Sequence, residues 1–468
     1  MSAPLDFPDA DRLRRLARRF GTPLYAYDFD RLEQRARELR RRLPERIEIL
    51  YAVKANPAKA VLALFAALGL GADVASESEL AAALEAGVPA ERILMSGPAK
   101  SDADLAAAVA AGIGGVNVEG LHELDRLEAL AARRGRRVPV QLRLDPDPGV
   151  GGERRRILGG GGSKFGFAVG DAHRALRLRR RWPHLDVGGI QLFAASNVLD
   201  AGELVASAAL AVELAAELLA TRAAPARFAL LDFGGGLGVP YGPADPELDV
   251  AALGAGFAEL ARKVDAEPRL AGARLLVEPG RWLTAPAGAY LTRVVEVKRR
   301  GRKRVVLVDG GIHHLLRPAL VGQAHPVALI PATPRAPAGR TSLATLAGPL
   351  CTSLDVLADD VALPAARPGD LVVFAQAGAY GFTESMPLFL SRGSPAEVGL
   401  RGDRAALLRE SPTPAEIRAR ERVPRELVAN PERASRSALG RQPARAPVGG
   451  RRSEVSASRL SAAPGEDP

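Results

Sequence analysis

Short apolar runs alternate with amphipathic segments rich in alanine and leucine from about residue 30 to residue 285. Segments such as 78–87 and 203–222 repeat their apolar residues at helical spacing, which predicts helices between the apolar runs. The eight runs end at Asn56, Ser76, Gly97, Glu119, Asp145, Ser196, Gly236 and Arg281. Eight strands separated by helices favour a closed (β/α)8 barrel of the TIM type over an open, doubly wound sheet. We therefore predict an α/β protein whose barrel spans residues 32–282.

The pattern changes after Arg281. The β-rich runs that follow are separated by proline and glycine, without a clear helix between them; they are AGAYLTRVVEVKRR, RKRVVLVDGG, AHPVALIPAT, SLATLAGPLC and GDLVVFAQAG. This pattern predicts a mostly antiparallel β-domain that combines residues 283–408 with residues 1–31, because LYAYDFD (24–30) also has strand character. Residues 409–468 are rich in arginine, proline and serine, which predicts a mostly disordered tail.

The composition excludes several classes of protein. A single cysteine among 468 residues excludes a disulfide framework and a site built from several thiolates, and it fits a reducing cytoplasm. No run approaches the roughly 18 apolar residues of a membrane helix, and the N-terminus has acids where an export signal has an apolar core. The net charge of +10 comes from scattered arginines, and aromatic residues, at 4%, are too few for a base-stacking platform. We therefore expect a cytoplasmic protein that binds neither nucleic acid nor membranes.

Residues suited to chemistry follow three of the predicted barrel strands, where barrel enzymes place their active sites. Lys54 ends the first strand, either as an ammonium paired with a carboxylate or as a desolvated amine whose lowered pKa suits Schiff-base formation. The seventh strand leads into the glycine run 234–236, which forms either an anion site or a tight turn. Glu278 and Arg281 follow the eighth strand, either as an ion pair or as separate contacts to a cation and an anion.

A lysine, a glycine-lined anion site and a carboxylate at neighbouring strand ends are three parts of a pyridoxal-phosphate site. The motifs around them are YAVKANP, GADVASESEL, SKFGF, GGGLGVPY, EPGR, GPLC and GAYGF. Through these motifs, about residues 20–400 resemble the fold-type III pyridoxal-phosphate decarboxylases, the diaminopimelate and ornithine decarboxylase family. The resemblance implies an alanine racemase-like barrel with a β-domain, pyridoxal 5′-phosphate as cofactor, and decarboxylation of an amino acid.

The resemblance assigns several residues to the cofactor. It implies that Lys54 holds the cofactor as a Schiff base, that Glu278 keeps the pyridine nitrogen protonated, and that Asp73 supports both the ring and Lys54. The residues that it places around the phosphate are Ser196, Gly235, Gly236, Gly280 and Tyr380. Phe193 stands where the family has a histidine stacked on the ring, so it keeps the stacking but removes a hydrogen bond.

The resemblance also assigns residues to the substrate. Arg281 reaches the phosphate or a substrate carboxylate, while Arg317, Thr352 and Tyr380 line the substrate site. Cys351, the only cysteine, matches a proton donor that crosses the interface of a homodimer with shared active sites.

Two substitutions in the substrate site depart from the family pattern. Thr352 replaces an acid that recognises the distal end of diamino substrates, and Val321 replaces a tyrosine of the carboxylate pocket. These departures argue against ornithine, lysine or diaminopimelate bound in the usual way. They are closer to a branch in which some members decarboxylate an aminoacyl group tethered to a carrier protein. Diaminopimelate decarboxylase itself, an inactive cofactor-binding paralogue or regulator, and a racemase-like activity are the alternatives.

The histidines predict no metal site. His313 and His314 are adjacent in the chain and therefore poorly placed to share one ion. We expect His325 on the surface or at an interface of the β-domain.

Overall fold

The computed structural model describes residues 9–145, 164–193, 195–301, 303–334, 341–424 and 427. The chain divides into two compact units, residues 1–417 and 418–468, and the first contains both the barrel and the β-sheet. Ser163 of the SKFGF motif and most of the predicted tail lie outside the described residues, although a short helix begins at Pro414 within that tail. No helix in the described ranges is long and apolar enough to cross a membrane.

Strands and helices alternate through the first part of the chain, and strands dominate the second. The strands are β1 (Leu24–Asp28), β2 (Ile47–Ala52), β3 (Gly71–Val74), β4 (Ile93–Met95), β5 (Gly115–Val118), β6 (Val138–Leu144), β7 (Leu185–Leu192), β8 (Leu230–Asp232), β9 (Arg274–Val277), β10 (Gly288–Arg300), β11 (Lys303–Val308), β12 (Val327–Ile330), β13 (Ser342–Ala347), β14 (Val356–Leu363), β15 (Leu371–Phe374), β16 (Ala396–Arg401) and β17 (Arg404–Arg409). The α-helices are α1 (Ala10–Phe20), α2 (Phe29–Arg42), α3 (Lys59–Ala67), α4 (Glu77–Glu85), α5 (Asp102–Ala111), α6 (Leu121–Arg134), α7 (Val169–Leu178), α8 (Ala201–Leu219), α9 (Val250–Ala266), α10 (Arg281–Thr284), α11 (Arg317–Val321) and α12 (Pro414–Arg418).

Strands β2 to β9 form a closed parallel barrel in chain order, and β9 pairs back with β2. The predicted barrel is therefore confirmed, and the alternative of an open sheet is wrong. Each apolar run extends past the end of its strand; β8, for example, ends at Asp232, so the glycine run 234–236 lies in the loop that follows. The residues that end the runs therefore lie where the carboxyl ends of the strands meet, at one rim of the barrel.

The two helical segments predicted from the sequence, 78–87 and 203–222, match α4 and α8 to within three residues at each end. In α8, Asp200 accepts a hydrogen bond from the backbone N–H of Glu203 at 3.1 Å and so caps the first turn. Ser101 and Asp104 form a capping box at the start of α5, and Gly112 ends that helix in the left-handed conformation. The buried residues of α8 recur every three or four positions and pack against the barrel; they are Leu204, Ala208, Ala211, Leu214, Ala215, Leu218 and Leu219.

The remaining strands form a second, mostly antiparallel sheet in the order β14-β13-β11-β10-β1-β16-β17, with β15 against β10 and β12 against β15. Strand β1, within the LYAYDFD segment, lies antiparallel to β10 and parallel to β16. The pattern of apolar runs missed β14, β16 and β17, and it also missed the short helix α11. Most positions of β14 and β17 are exposed or half-buried, so these edge strands lack the apolar run on which the prediction depended.

Candidate active site

A cavity lies at the carboxyl-terminal rim of the barrel. The residues that line it are Ala52, Lys54, Phe193, Ser196, Asn197, Gly235, Gly236, Leu237, Glu278, Gly280, Arg281 and Tyr380. The fold thus brings together nine of the residues singled out in the sequence. Asp73 and Arg317 lie one contact away, against Lys54 and Tyr380 respectively, whereas Cys351 and Thr352 are not among the lining residues.

The turn that carries Lys54 is tied to the β-sheet domain. Directly after β2, residues 53–55 form a single 3-10 turn. The side-chain amide of Asn56 donates to the carbonyl oxygen of Gly378 at 3.0 Å, and the backbone N–H of Tyr380 donates to the carbonyl oxygen of Ala55 at 2.8 Å. Tyr380 also has a φ of +55°, which is unusual for a residue other than glycine and costs conformational energy. These two hydrogen bonds hold Lys54 of the barrel and Tyr380 of the β-domain at the same cavity.

The Lys54 amine lies among carboxylates. Its Nζ is 3.4 Å from Oδ2 of Asp73, and its side chain is 45% exposed. Because Nζ is enclosed within the cavity, desolvation lowers the pKa of the amine. The charges of Asp73 and Glu278 outweigh that effect and raise the pKa above that of an ordinary lysine. The prediction of a lowered pKa is therefore wrong for the protein by itself, and the ion-paired alternative is the one that the geometry supports.

A Cβ on any of the three glycines 234–236, in the loop after β8, would lie within 3 Å of a backbone carbonyl oxygen. A Cβ on Gly235 would lie 2.3 Å from the carbonyl oxygen of Glu278, and one on Gly236 would lie 2.5 Å from that of Ala195. Gly236 also has a φ of +96°. The tight turn therefore accounts for these glycines, and it leaves their backbone lining the cavity.

Glu278 and Arg281 do not form an ion pair with each other in the described structure. Glu278 is buried and accepts a hydrogen bond from the side-chain amide of Gln191 at 2.9 Å. The guanidinium of Arg281 donates to the hydroxyl of Tyr241 at 2.9 Å and to Oε1 of Gln323 at 3.3 Å. The ion-pair alternative is therefore wrong, because the carboxylate and the guanidinium turn to different neighbours.

Three buried carboxyl groups lie close together under the cavity. Burial, together with the charges of Asp232 and Asp73, raises the pKa of Glu278 well above its usual range. Burial also raises the pKa of Asp232 to about 6, even though its Oδ1 accepts the backbone N–H of Gly234 at 2.9 Å. Oδ1 of Asp73 is buried and has no hydrogen-bond partner among the described residues. The base of the cavity is therefore a region that attracts a cation.

On the β-domain side, a network of neutral groups fixes two arginines. Oε1 of Gln323 accepts from Arg317 at 2.9 Å as well as from Arg281, while Nε2 of Gln323 lies 3.2 Å from Nε2 of His325. The other ring nitrogen of His325 lies 3.0 Å from the carbonyl oxygen of Ala375, to which it donates. Burial lowers the pKa of His325 to about 4, so its neutral ring accepts from Gln323. His325 is 6% exposed, so the surface alternative is wrong, whereas its ring centroid lies 5.4 Å from that of Tyr241, where the β-domain meets the barrel.

The cysteine loop is ordered by a buried acid. Asp355 accepts the backbone N–H groups of Leu350 at 2.7 Å and Ile312 at 2.8 Å, and it is 3% exposed. Cys351 itself is exposed, and Leu354 beside it is 67% exposed. The cysteine is therefore presented at the surface of this chain.

Several polar residues of the site were not singled out in the sequence. They are Asn117, Gln191, Gln323 and Glu384, with the buried ion pair between Lys100 in the loop after β4 and Glu123 in the first turn of α6. A glutamine inside an apolar strand is a signal that would have found Gln191, because a buried amide needs partners. In the described ranges, no group of three or more histidine, cysteine, aspartate or glutamate side chains is arranged to hold a metal ion.

Comparison with known proteins places these features in a family. Residues 29–285 match the model of the pyridoxal-dependent decarboxylase, pyridoxal binding domain. Diaminopimelate decarboxylase of Zymomonas mobilis is 34% identical over 85% of this chain and 92% of its own length. The L-glutamyl-[BtrI acyl-carrier protein] decarboxylase of Niallia circulans is 33% identical over 87% of this chain and 96% of its own length.

The fold is shared with solved structures as well. Diaminopimelate decarboxylase from Helicobacter pylori, in complex with L-lysine, has a TM-score of 0.78 and 28% identity, covering 87% of this chain and 98% of that chain. These relatives are carboxy-lyases that act on amino acids, and the resemblance seen in the motifs is confirmed. The chain therefore belongs to the family of pyridoxal-dependent decarboxylases.

Proposed function

We propose that this protein uses pyridoxal 5′-phosphate to decarboxylate an α-amino acid or aminoacyl group whose distal end differs from that of diaminopimelate. The observation that carries the proposal is the placement of Lys54 beside Asp73 in a cavity that also exposes Glu278 and the backbone of the glycine loop. This cofactor requires an amine to hold it, an acid that faces its ring nitrogen and a backbone-lined site for its phosphate.

The residues of the cavity fit the cofactor. A cationic ring nitrogen at Glu278 would relieve the surplus of buried carboxyl groups, and it would draw the Glu278 carboxyl into its charged form. A phosphate would find the backbone of Gly235 and Gly236, with the guanidinium of Arg281 nearby. The described partners of Arg281 are neutral, so its positive charge is free to bind an anion.

When bound, the cofactor supplies a sink for the electron pair that remains at Cα after CO2 departs. Lys54 would hold the cofactor through Nζ, and Asp73 would orient that Nζ. Glu278, fixed by Gln191, would hold a proton on the ring nitrogen. Phe193 packs beside the amine, with its ring centroid 5.9 Å from Nζ.

We further propose a homodimer in which Cys351 of one subunit protonates Cα in the site of the other. The support is that Cys351 is exposed and does not line the cavity of its own chain. The large apolar side chains that are exposed on this chain include Leu320, Val321 and Leu354. Exposed apolar groups of this size are typical of an interface.

The substrate proposal rests on Thr352 and Val321. Neither side chain carries a charge or a phenolic hydroxyl, so neither can bind a distal ammonium or carboxylate as the family residues do. The similarity to a carrier-protein glutamyl decarboxylase supports an aminoacyl group as one substrate class. The similarity to diaminopimelate decarboxylases keeps diaminopimelate itself as the alternative, and its efficient turnover would refute our interpretation of Thr352.

The first experiment compares two lysine variants. Purified protein should be yellow and should lose its visible band on borohydride reduction, and Lys54→Ala should never acquire that band. Lys59→Ala is the matched control, because Lys59 is an exposed lysine 71% open to solvent and should keep the cofactor. CO2 release should then be measured over free amino acids and aminoacyl thioesters. A colourless wild-type protein that takes up no cofactor would refute the proposal.

A further inference from the structure

Arg317, which the family resemblance assigns to the substrate, is already paired with an acid of its own chain. Its Nη1 lies 2.5 Å from Oε2 of Glu384, and the side chains of Arg317 and Glu384 are 13% and 37% exposed. The guanidinium lies over the ring of Tyr380, 5.3 Å from the centroid, and Tyr380 lines the cavity. Glu384 therefore holds a negative charge against the substrate side of the cavity.

The two arginines of this rim differ in charge balance. Arg281 contacts neutral partners, the hydroxyl of Tyr241 and the amide of Gln323, whereas the charge of Arg317 is balanced by Glu384. A substrate carboxylate directed at Arg317 would have to displace Glu384 or accept its repulsion. Such like-charge contacts are a common source of specificity because they penalise the wrong ligand.

Other residues near Arg317 do not restore an attraction for a charged group. Gln323 is held by His325 with its oxygen toward both arginines, so that acceptor already serves two guanidinium groups. Val321, at the end of α11, is 58% exposed and has no polar atom in its side chain. The rim of the cavity therefore carries no net charge at Arg317 with which to bind a charged distal group of a substrate.

We propose that Glu384 is a specificity-determining residue that neutralises Arg317 and selects substrates whose distal group is uncharged. The substrate class is an α-amino acid with a distal amide, ester or thioester carbonyl. This inference rests on the proposed decarboxylation and names the substrate class for the same site. A free amino acid amide and a tethered thioester share this chemistry, so the test must separate them.

The test measures how charge at the distal end changes turnover. The variants are Glu384→Gln, which keeps the shape and removes the charge, and the same change in an Arg317→Met background. The probes are the pairs glutamate with glutamine and aspartate with asparagine, with the γ-glutamyl thioester of N-acetylcysteamine as the thioester arm. Glutarate and its half-amide, titrated into the cofactor-loaded protein by calorimetry, give a readout that needs no turnover. Glu259→Gln, an exposed acid on α9 that is 61% open to solvent, is the matched control.

Wild-type protein should prefer the amide or thioester over the acid. Glu384→Gln should raise kcat/KM for acid-ended substrates relative to neutral ones by roughly fivefold, the upper range for a partly exposed ion pair. It should tighten glutarate binding by a similar factor, while Glu259→Gln changes neither ratio. Both shifts should vanish in the Arg317→Met background, because Glu384 acts through that guanidinium. Preference for the thioester over glutamine would identify tethered substrates, and the reverse would identify free ones.

The inference is overturned if Glu384→Gln leaves both ratios unchanged, or if the shifts persist without Arg317. A wild-type preference for lysine or ornithine that Glu384→Gln abolishes would also overturn it, since Glu384 would then bind a distal ammonium. The two proposals fail separately. If no probe releases CO2 but glutarate binding tightens in an Arg317-dependent way, the charge selection stands and the decarboxylation does not. If CO2 is released and neither ratio moves, the decarboxylation stands alone.

Discussion

Replacing Lys100 by methionine should destabilise the protein more than any exposed lysine replacement. The side chain of Lys100 is 1% exposed, and its Nζ donates to Glu123 at 2.6 Å, to the carbonyl oxygen of Asn117 at 2.7 Å and to that of Gly97 at 2.8 Å. Methionine fills a similar volume but donates no hydrogen bond. It therefore leaves the carboxylate of Glu123, which is 8% exposed, without its counter-ion.

The magnitude follows from the burial. Removing one member of a buried ion pair costs about 3–5 kcal/mol, because the remaining charge stays desolvated. We expect Lys100→Met to lower the free energy of unfolding by about 4 kcal/mol, within that range. In the double variant Lys100→Met with Glu123→Gln, the buried charge is gone and the amide oxygen still accepts the backbone N–H of Glu119. The double variant should recover about half of the lost free energy of unfolding, because the remaining cost is that of hydrogen bonds that are no longer made, at about 1 kcal/mol each.

The assay is equilibrium unfolding in urea at neutral pH, followed by circular dichroism, for the two single variants and the double variant. Lys59→Met is the control, because Lys59 pairs with Glu85 with both side chains mostly exposed, and it should cost less than about 1 kcal/mol. A double variant no more stable than Lys100→Met would refute the reasoning, since the unpaired carboxylate would then not be the cause. Lys100 holds the carbonyl of Asn117, whose side-chain amide donates to Ser96 and to Asp232, one of the carboxyl groups under the cavity. Lys100→Met should therefore weaken cofactor retention as well.

Two further predictions concern the glycine loop and a buried histidine. Gly236→Ala should reduce cofactor affinity and lower the melting temperature, because its Cβ would meet the carbonyl oxygen of Ala195 at 2.5 Å; an unchanged affinity would show that the loop yields. His313 is 1% exposed, and burial lowers its pKa to about 4, so the folded protein keeps it neutral while the unfolded chain protonates it near pH 6.5. The wild-type protein therefore loses stability through this residue as the pH falls from about 6.5 to about 4. His313→Leu should remove that loss, so that between pH 7 and pH 5 the free energy of unfolding of the variant rises by about 2 kcal/mol relative to that of the wild type. Parallel stability curves for the two proteins would contradict the assignment.

The barrel could be predicted from local pattern because parallel strands buried on both faces are continuous apolar runs. Strand β5, for instance, is buried at all four of its positions. The edge strands of the β-sheet could not be found in the same way. Strand β14 has Asp359 and Asp360 at exposed positions, and it is held by pairing with β13 more than by an apolar run.

The site was predictable to the extent that it depends on strand ends. Lys54, Gly235 and Glu278 lie near the ends of different runs, and barrel closure brings the ends of all eight strands to one rim. The direction of the Lys54 pKa was not predictable. It depends on the sum of charges contributed by β3 and by the loop after β9, and the sequence does not contain the distances in that sum.

The sequence by itself determined the order of the elements, the rim at which the chemistry lies and the family to which the motifs point, because each depends on periodicity or on contiguous motifs. Only the tertiary structure decided which charges meet. Arg317 and Glu384 lie 67 positions apart in the chain, and Gln323 takes its orientation from His325. Ion pairs and hydrogen bonds require atoms within about 3 Å of each other, and separation along the chain does not specify that distance.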